Sequence, residues 1–133
     1  MLSVLKGLFK EPLGLSNTKT NEQSQEKFGL GYKELEVGTL TFKDGEWVFK
    51  YSDDFKNQNI IQPLVDFPDV TKTYRSDELW PFFLSRIPGL AQPAVKELLK
   101  KEQIDENDEA ALLKRFGKTS IANPFTLVPD LAI

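Results

Sequence analysis

Apolar and polar residues alternate from Leu35 to Tyr51, with interruptions at Gly38 and at Asp44-Gly45. Leu35 and Val37 fall on one parity, Leu40 and Phe42 on the other, so a bulge or register change is expected around Gly38. Lys43-Asp44-Gly45-Glu46 has the Asp-Gly centre of a tight hairpin turn. Beyond it Trp47, Phe49 and Tyr51 share one face, and Val48 and Lys50 the other. The pattern predicts a hairpin over 35–51 with an aromatic inner face.

The periodicity changes on either side of this hairpin. Met1, Leu2, Leu5, Leu8 and Phe9 form one apolar helical face over residues 1–11, ended by Pro12 and Gly14. So short a helix is marginal alone and needs its own domain, a partner or a membrane surface to lie on. Residues 16–27 are polar and read as a linker. The domain division is therefore an N-terminal amphipathic helix and linker over 1–27 and a globular part over 28–133. Residues 52–59 predict a polar loop or a single helical turn. Residues 60–67, IIQPLVDF, predict a short edge or irregular strand, since Pro63 removes one donor. Ser76 or Asp77 is the expected cap of a helix running to about Ile87, with Pro81 near its first turn. Further helices are expected over 92–101, with Val95, Leu98 and Leu99 on one face, and over 107–116, stopped by Gly117. A last strand is expected over 125–128. The fold class is α+β: a small, mainly antiparallel sheet with about three packed helices, plus the N-terminal helix.

Length and charge narrow the function classes. The 133 residues suffice for one domain with a real core. The net charge of −3, from 17 basic and 20 acidic residues, lacks the basic excess of a nucleic-acid binder. Cysteine and histidine are absent, which excludes disulfides, thiol nucleophiles, histidine bases and any zinc site needing those ligands. The N-terminus lacks the features of a signal peptide and no stretch is long and apolar enough to span a bilayer, so a cytoplasmic protein is expected.

The motifs that hint at chemistry fail on spacing. Gly117-Lys118-Thr119 mimics the end of a phosphate-binding loop, but Leu112 stands where that loop needs glycine, and the segment follows a helix. Asp105-Glu106-Asn107-Asp108-Glu109 lacks the ligand alternation and glycine of a calcium loop and reads as a solvated helix start. No kinase glycine-rich loop or catalytic loop is present. The expectation is a protein that is not an enzyme.

The densest apolar stretch is Ser76 to Gly89, SDELWPFFLSRIPG. Helical spacing puts Leu79, Phe82, Phe83 and Arg86 near one face, with Trp80 and Leu84 elsewhere. Both stripes could serve a core, one on the sheet and one on the next helix. Alternatively Trp80, Tyr74 and Arg86 form a partner-binding surface, being residue types that anchor interfaces. On that reading Phe82 and Phe83 are mostly buried and Trp80 is partly exposed.

The motifs also occur in a telling order. Val37-Gly38-Thr39-Leu40, Phe49-Lys50-Tyr51, Pro63-Leu64, Pro81-Phe82-Phe83 and Ile87-Pro88-Gly89 are followed by Leu112-Leu113, Gly117 and Leu127-Val128-Pro129. In this order they resemble the N-terminal subdomain of the HipA family of toxin kinases, over roughly residues 35–130. Ser85-Arg86-Ile87-Pro88-Gly89 departs from the family's usual motif, and Ala122, with Pro124 nearby, stands where a glycine is expected. In family members a kinase core follows and carries every catalytic, magnesium and nucleotide residue. The chain ends at Ile133, so the resemblance implies no catalytic residue, cofactor or metal here. A free-standing copy is similar to HipS, the small antitoxin subunit of split HipBST systems. That similarity implies a regulatory subunit that binds and inhibits a HipA- or HipT-like serine/threonine kinase. The alternative is an accessory subunit that completes and supports the kinase fold. It further implies a helix-turn-helix HipB-like protein in the same complex, with no direct contact to nucleic acid and none to a membrane.

Overall fold

The computed structural model describes residues 25–130. The helix expected over 1–11 and most of the 16–27 linker lie outside the described residues. The strands are β1 (Glu26–Tyr32), β2 (Leu35–Lys43), β3 (Glu46–Tyr51), β4 (Tyr74–Ser76) and β5 (Thr126–Pro129). They form one antiparallel sheet in the order β4-β3-β2-β1-β5. Its helices are α1 (Asp53–Lys56), α2 (Pro81–Leu84), α3 (Pro93–Glu102) and α4 (Glu109–Phe116). The expected α+β class is observed.

The β2–β3 hairpin forms as its alternation requires. Asp44 and Gly45 both take positive φ, 55° and 78°, the sign a type I′ turn demands. Trp47, Phe49 and Tyr51 are all buried. The bulge falls where the parity changes. Leu30 of β1 pairs with Gly38, but Gly31 pairs with Glu36, leaving Val37 as the extra residue on β2. Val37 and Leu40 therefore both reach the core despite their opposite parity.

Ser52 fastens the bulge to α1. Its N–H donates to the Val37 carbonyl at 2.8 Å. Its hydroxyl donates to the Glu36 carbonyl and accepts from the Phe55 N–H, capping α1. The single turn of α1 sinks Phe55 into the core, its ring stacked 4.6 Å from Tyr51.

Two expected elements are corrected. Residues 60–67 are not a strand. Three of their backbone donors go to side chains instead, since Gln58 Oε1 accepts from Ile60 and Ile61 and the Tyr51 hydroxyl accepts from Leu64, while the Phe67 N–H turns back to the Leu64 carbonyl. The helix expected from Ser76 begins only at Pro81. Ser76 is tied into β4 opposite Trp47. Trp80 precedes a proline, which disfavours the helical region, and it sits extended at φ −69°, ψ 151°. Pro81 is then the first helical residue, where its missing N–H costs nothing. The α2 N-terminus is capped from outside, by Asp66 Oδ2 accepting from the Phe82 N–H at 3.0 Å.

Two strands were not anticipated, β1 and β4. β1 starts at Glu26, so the last two residues read as linker belong to the sheet. α3 and α4 form where expected, within two residues at each end. Asp108 caps α4 through Ala111, and the Gly117 N–H closes it on the Leu113 carbonyl at 2.7 Å. Phe28, Leu30, Leu40, Trp47, Phe49 and Leu127 make the sheet side of the core, against Phe55, Phe67, Phe83 and Leu113. The other sheet face carries Lys27, Gly29, Thr39, Thr41, Val48 and Arg75, none of them buried.

Gly38 is the least replaceable position in the sheet. A Cβ there would fall on the Lys50 carbonyl oxygen and 2.9 Å from the Phe49 ring. Gly38→Ala is expected to destabilise the domain by about 2–3 kcal/mol through overpacking. Gly29→Ala is the control, since a Cβ at Gly29 meets nothing within 4 Å. Denaturant titration of both variants checks the contrast, and equal midpoints would refute it.

Candidate functional site

The aromatic residues of the 76–89 stretch meet a ring from another part of the chain. Phe67, in the segment between α1 and β4, is fully buried. Its ring stacks 4.3 Å from Phe49 and meets Tyr74 at 5.0 Å and Trp80 at 4.9 Å, both edge-on. Two of the three expected surface residues, Tyr74 and Trp80, are thus brought together over one support. Both are half-buried, each with one side on Phe67. Trp80 is held at its base by the extended backbone before Pro81, and Tyr74 by β4. The Tyr74 hydroxyl accepts from the Asp69 N–H at 2.8 Å.

The third, Arg86, is elsewhere and corrects the sequence reading of an exposed anchor. It is 5% exposed. One terminal nitrogen donates to the Gly117 carbonyl at 2.9 Å, the other to Asn123 Oδ1 and the Phe125 carbonyl, each at 2.9 Å. Its guanidinium also lies over the Phe82 ring, 5.4 Å from the centroid. Burial lowers its pKa below the usual arginine range. Arg86 bolts α2 to the chain leading into β5, and its fork geometry suits that task of reaching several carbonyls at once. Of the two phenylalanines expected in the core, Phe83 is fully buried and Phe82 half-buried against Phe83 and Phe125.

Sequence reasoning missed two surface residues. Ile60 is 89% exposed and Val65 is 94% exposed. Their segment lacks regular structure but is held at many points. Gln58 Nε2 donates to the Phe55 and Ile61 carbonyls. The Tyr51 hydroxyl donates to the Phe67 carbonyl at 2.6 Å while accepting from Leu64 at 2.9 Å. Val65 immediately precedes Asp66, whose carboxylate caps α2 beside Trp80. The loop is thereby tied to the start of α2, next to Trp80. A hollow of about 220 Å³ opens on the loop, lined by Phe55, Ile61, Pro63 and Val70 among others. The apolar run at 60–65 was the signal, but it read as a strand.

Among the described residues, no group of three or more carboxylates is placed to hold a metal ion. No helix among them is long and apolar enough to cross a membrane. The arrangement offers a shaped apolar rim on a fixed scaffold. A family model for the HipA N-terminal domain matches residues 31–121. The chain belongs to that family. The match starts inside β1 and ends before β5. A solved structure of the "N-terminal domain of HipA toxin" matches at 18% identity and a TM-score of 0.54, covering 81% of this chain and 95% of that one. That likeness concerns the fold. No curated protein matches the chain. Membership puts this HipA N-terminal-type domain in a toxin–antitoxin setting.

Tyr51 is the pin beneath the loop, and its titration reports on the pin. Burial pushes its hydroxyl from 10.0 up to about 12, with the Leu64 N–H pulling the other way. The fold prefers the protonated phenol, so its contribution is complete below pH 10. It is lost between pH 10 and about 12, where the unfolded chain releases the proton first. Tyr51→Phe is expected to cost about 1–3 kcal/mol at neutral pH, by leaving a buried N–H and C=O unpaired. It should also remove the alkaline loss of stability that Tyr51 causes. Denaturant midpoints of both proteins at neutral and alkaline pH check this. Parallel curves would refute it.

Proposed function

We propose that this domain is a non-catalytic regulatory subunit that binds a HipA-like serine/threonine kinase and inhibits it. Family membership supports the toxin–antitoxin setting, and the observation that carries the binding surface is Trp80. This indole is braced from below by Phe67 and fixed by Pro81, yet part of it stays open to solvent. Such a residue offers large contact area at little further loss of freedom, which is the property of an interface anchor. Ile60 and Val65 extend the apolar surface along a loop whose backbone is already tied down, so little ordering cost remains on binding.

Inhibition then follows from occupancy. A rim docked against a kinase groove blocks that groove or holds a conformation in which transfer does not occur, shifting the kinase population toward the bound state. The domain works in the cytoplasm, and a helix-turn-helix HipB-like protein is the natural third member of the complex. Contact with nucleic acid falls to that protein.

The test is a titration of purified HipA-like kinase with the domain, read as binding and as phosphoryl transfer. Binding with falling transfer is the expected result, and rising transfer would instead identify a supporting subunit. Val65→Ser and Ile60→Ser, at nearly fully exposed positions, should leave the melting temperature in place. Trp80→Ala should cost some stability, since it strips one side of Phe67, and weaken binding by about 2 kcal/mol or more. Normal binding by all three variants would move the interface away from this rim.

A further inference from the structure

The chain from Asp53 to Trp80 carries Ile60, Val65, Tyr74 and Trp80, and it also carries the net charge of the molecule. Its carboxylates are Asp53, Asp54, Asp66, Asp69, Asp77 and Glu78, and its cations are Lys56, Lys72 and Arg75. That is a net −3, equal to the net −3 of the full chain, so the charges elsewhere balance. Pairing sharpens the imbalance beside the rings. Lys56 is bridged to Asp53 at 3.8 Å, and Arg75 to Glu46, outside the segment, at 3.2 Å. Asp54 lines a hollow together with Lys50, and Asp77 another with Lys43. Asp66, Asp69 and Glu78 make no ion pair among the described residues. The first two are fixed, since Asp66 accepts from the Phe82 N–H and Asp69 from the Thr71 N–H, each at 3.0 Å. Glu78 is exposed, two residues ahead of Trp80. The cation left beside them is Lys72, 5.2 Å from the centre of the Tyr74 ring.

We propose that Trp80 and its loop dock into a cationic protein cleft, an apolar slot edged by lysine and arginine side chains. The proposal rests on the reading of this rim as the docking surface and adds what its partner must offer. The open apolar area of Trp80, Ile60 and Val65 requires an apolar slot. The carboxylates beside it require cations at the edge of that slot, because surfaces that associate specifically carry complementary potentials. The same charges set aside the other occupants. Nucleic acid and the anionic lipid surface are both negative, and this segment is repelled by each. A second copy meeting rim to rim would set like carboxylates against one another. Because Asp66 and Asp69 are already held by backbone N–H groups, their charges meet the partner with little further ordering.

The test is the rate at which the full-length chain associates with purified HipA-like kinase, followed by stopped flow at low and high salt. Association should slow about tenfold as salt rises, the mark of steering by opposite charge. Asp66→Asn combined with Asp69→Asn and Glu78→Gln keeps an acceptor oxygen at each position while removing three charges. This variant should associate about tenfold more slowly at low salt and at the ordinary rate at high salt. Lys72→Gln should instead speed association. If the triple variant melts early, Glu78→Gln, at an exposed side chain, and the salt series of the unaltered chain decide in its place. Val65→Ser reports on the rim itself, through faster dissociation. Faster dissociation of Val65→Ser, with association indifferent to salt and to the charge variants, would overturn the cationic cleft and leave the rim standing. No effect from Val65→Ser, Trp80→Ala or the charge variants would overturn the rim reading and the cleft with it.

Discussion

Phe67 belongs to no helix or strand, yet its ring is fully buried among four others. Phe49 of the sheet lies 4.3 Å away, Trp80 4.9 Å, Tyr74 5.0 Å and Phe83 6.1 Å. One ring from an irregular segment thus joins the sheet, its edge strand and α2. The path of the chain obeys that constraint. After β3 it must turn through α1, cross back over Phe49 to deliver Phe67, and only then return to the sheet as β4. A connection this long without regular structure is uncommon in a small domain and needs its own support.

The support comes from side chains that stand in for secondary structure. A buried backbone donor or acceptor without a partner costs about 1–3 kcal/mol. Here Tyr51 serves Leu64 and Phe67, Gln58 serves Ile60 and Ile61, and Asp66 serves Phe82. Arg86 does the same for the chain ahead of β5. All but Tyr51, the last residue of β3, lie where the chain runs between regular elements. The consequence is a loop that holds its shape while exposing Ile60 and Val65.

How legible each element is in the sequence depends on the range of the forces that form it. The hairpin, the bulge at Gly38, the Asp-Gly turn, α3 and α4 rest on neighbours close in sequence, and their patterns are plain. β1 is obscured although Phe28, Leu30 and Tyr32 alternate, because Gly29 and Gly31 between them weaken any strand signal. β4 is three residues long and exists because Tyr74 and Ser76 pair with Phe49 and Trp47, far away in the chain. Residues 60–67 look like a strand to any local rule, since the partners that claim their donors, Tyr51 and Gln58, are side chains. At the candidate surface, Tyr74 and Trp80 share one support, Phe67. Arg86 does not join them, because residue type alone does not separate an exposed anchor from a buried clasp. Four acceptors scattered from Gly117 to Phe125 decide the matter, and only the folded chain collects them.

The same architecture governs how the rim can be probed. Trp80 and Tyr74 lean on Phe67, so a change in either alters the surface and the core together, and lost binding there mixes two effects. Phe67 is worse as a probe, because its removal opens a cavity beneath both. Ile60 and Val65 stand on the other side of this division. They are fixed through the backbone bonds of their loop rather than through their own side chains, which touch little. Their apolar area is therefore available to a partner without being part of what holds the domain together. An interface that uses the rim would draw its rigidity from the Phe67 cluster and its freely available contact area from the loop.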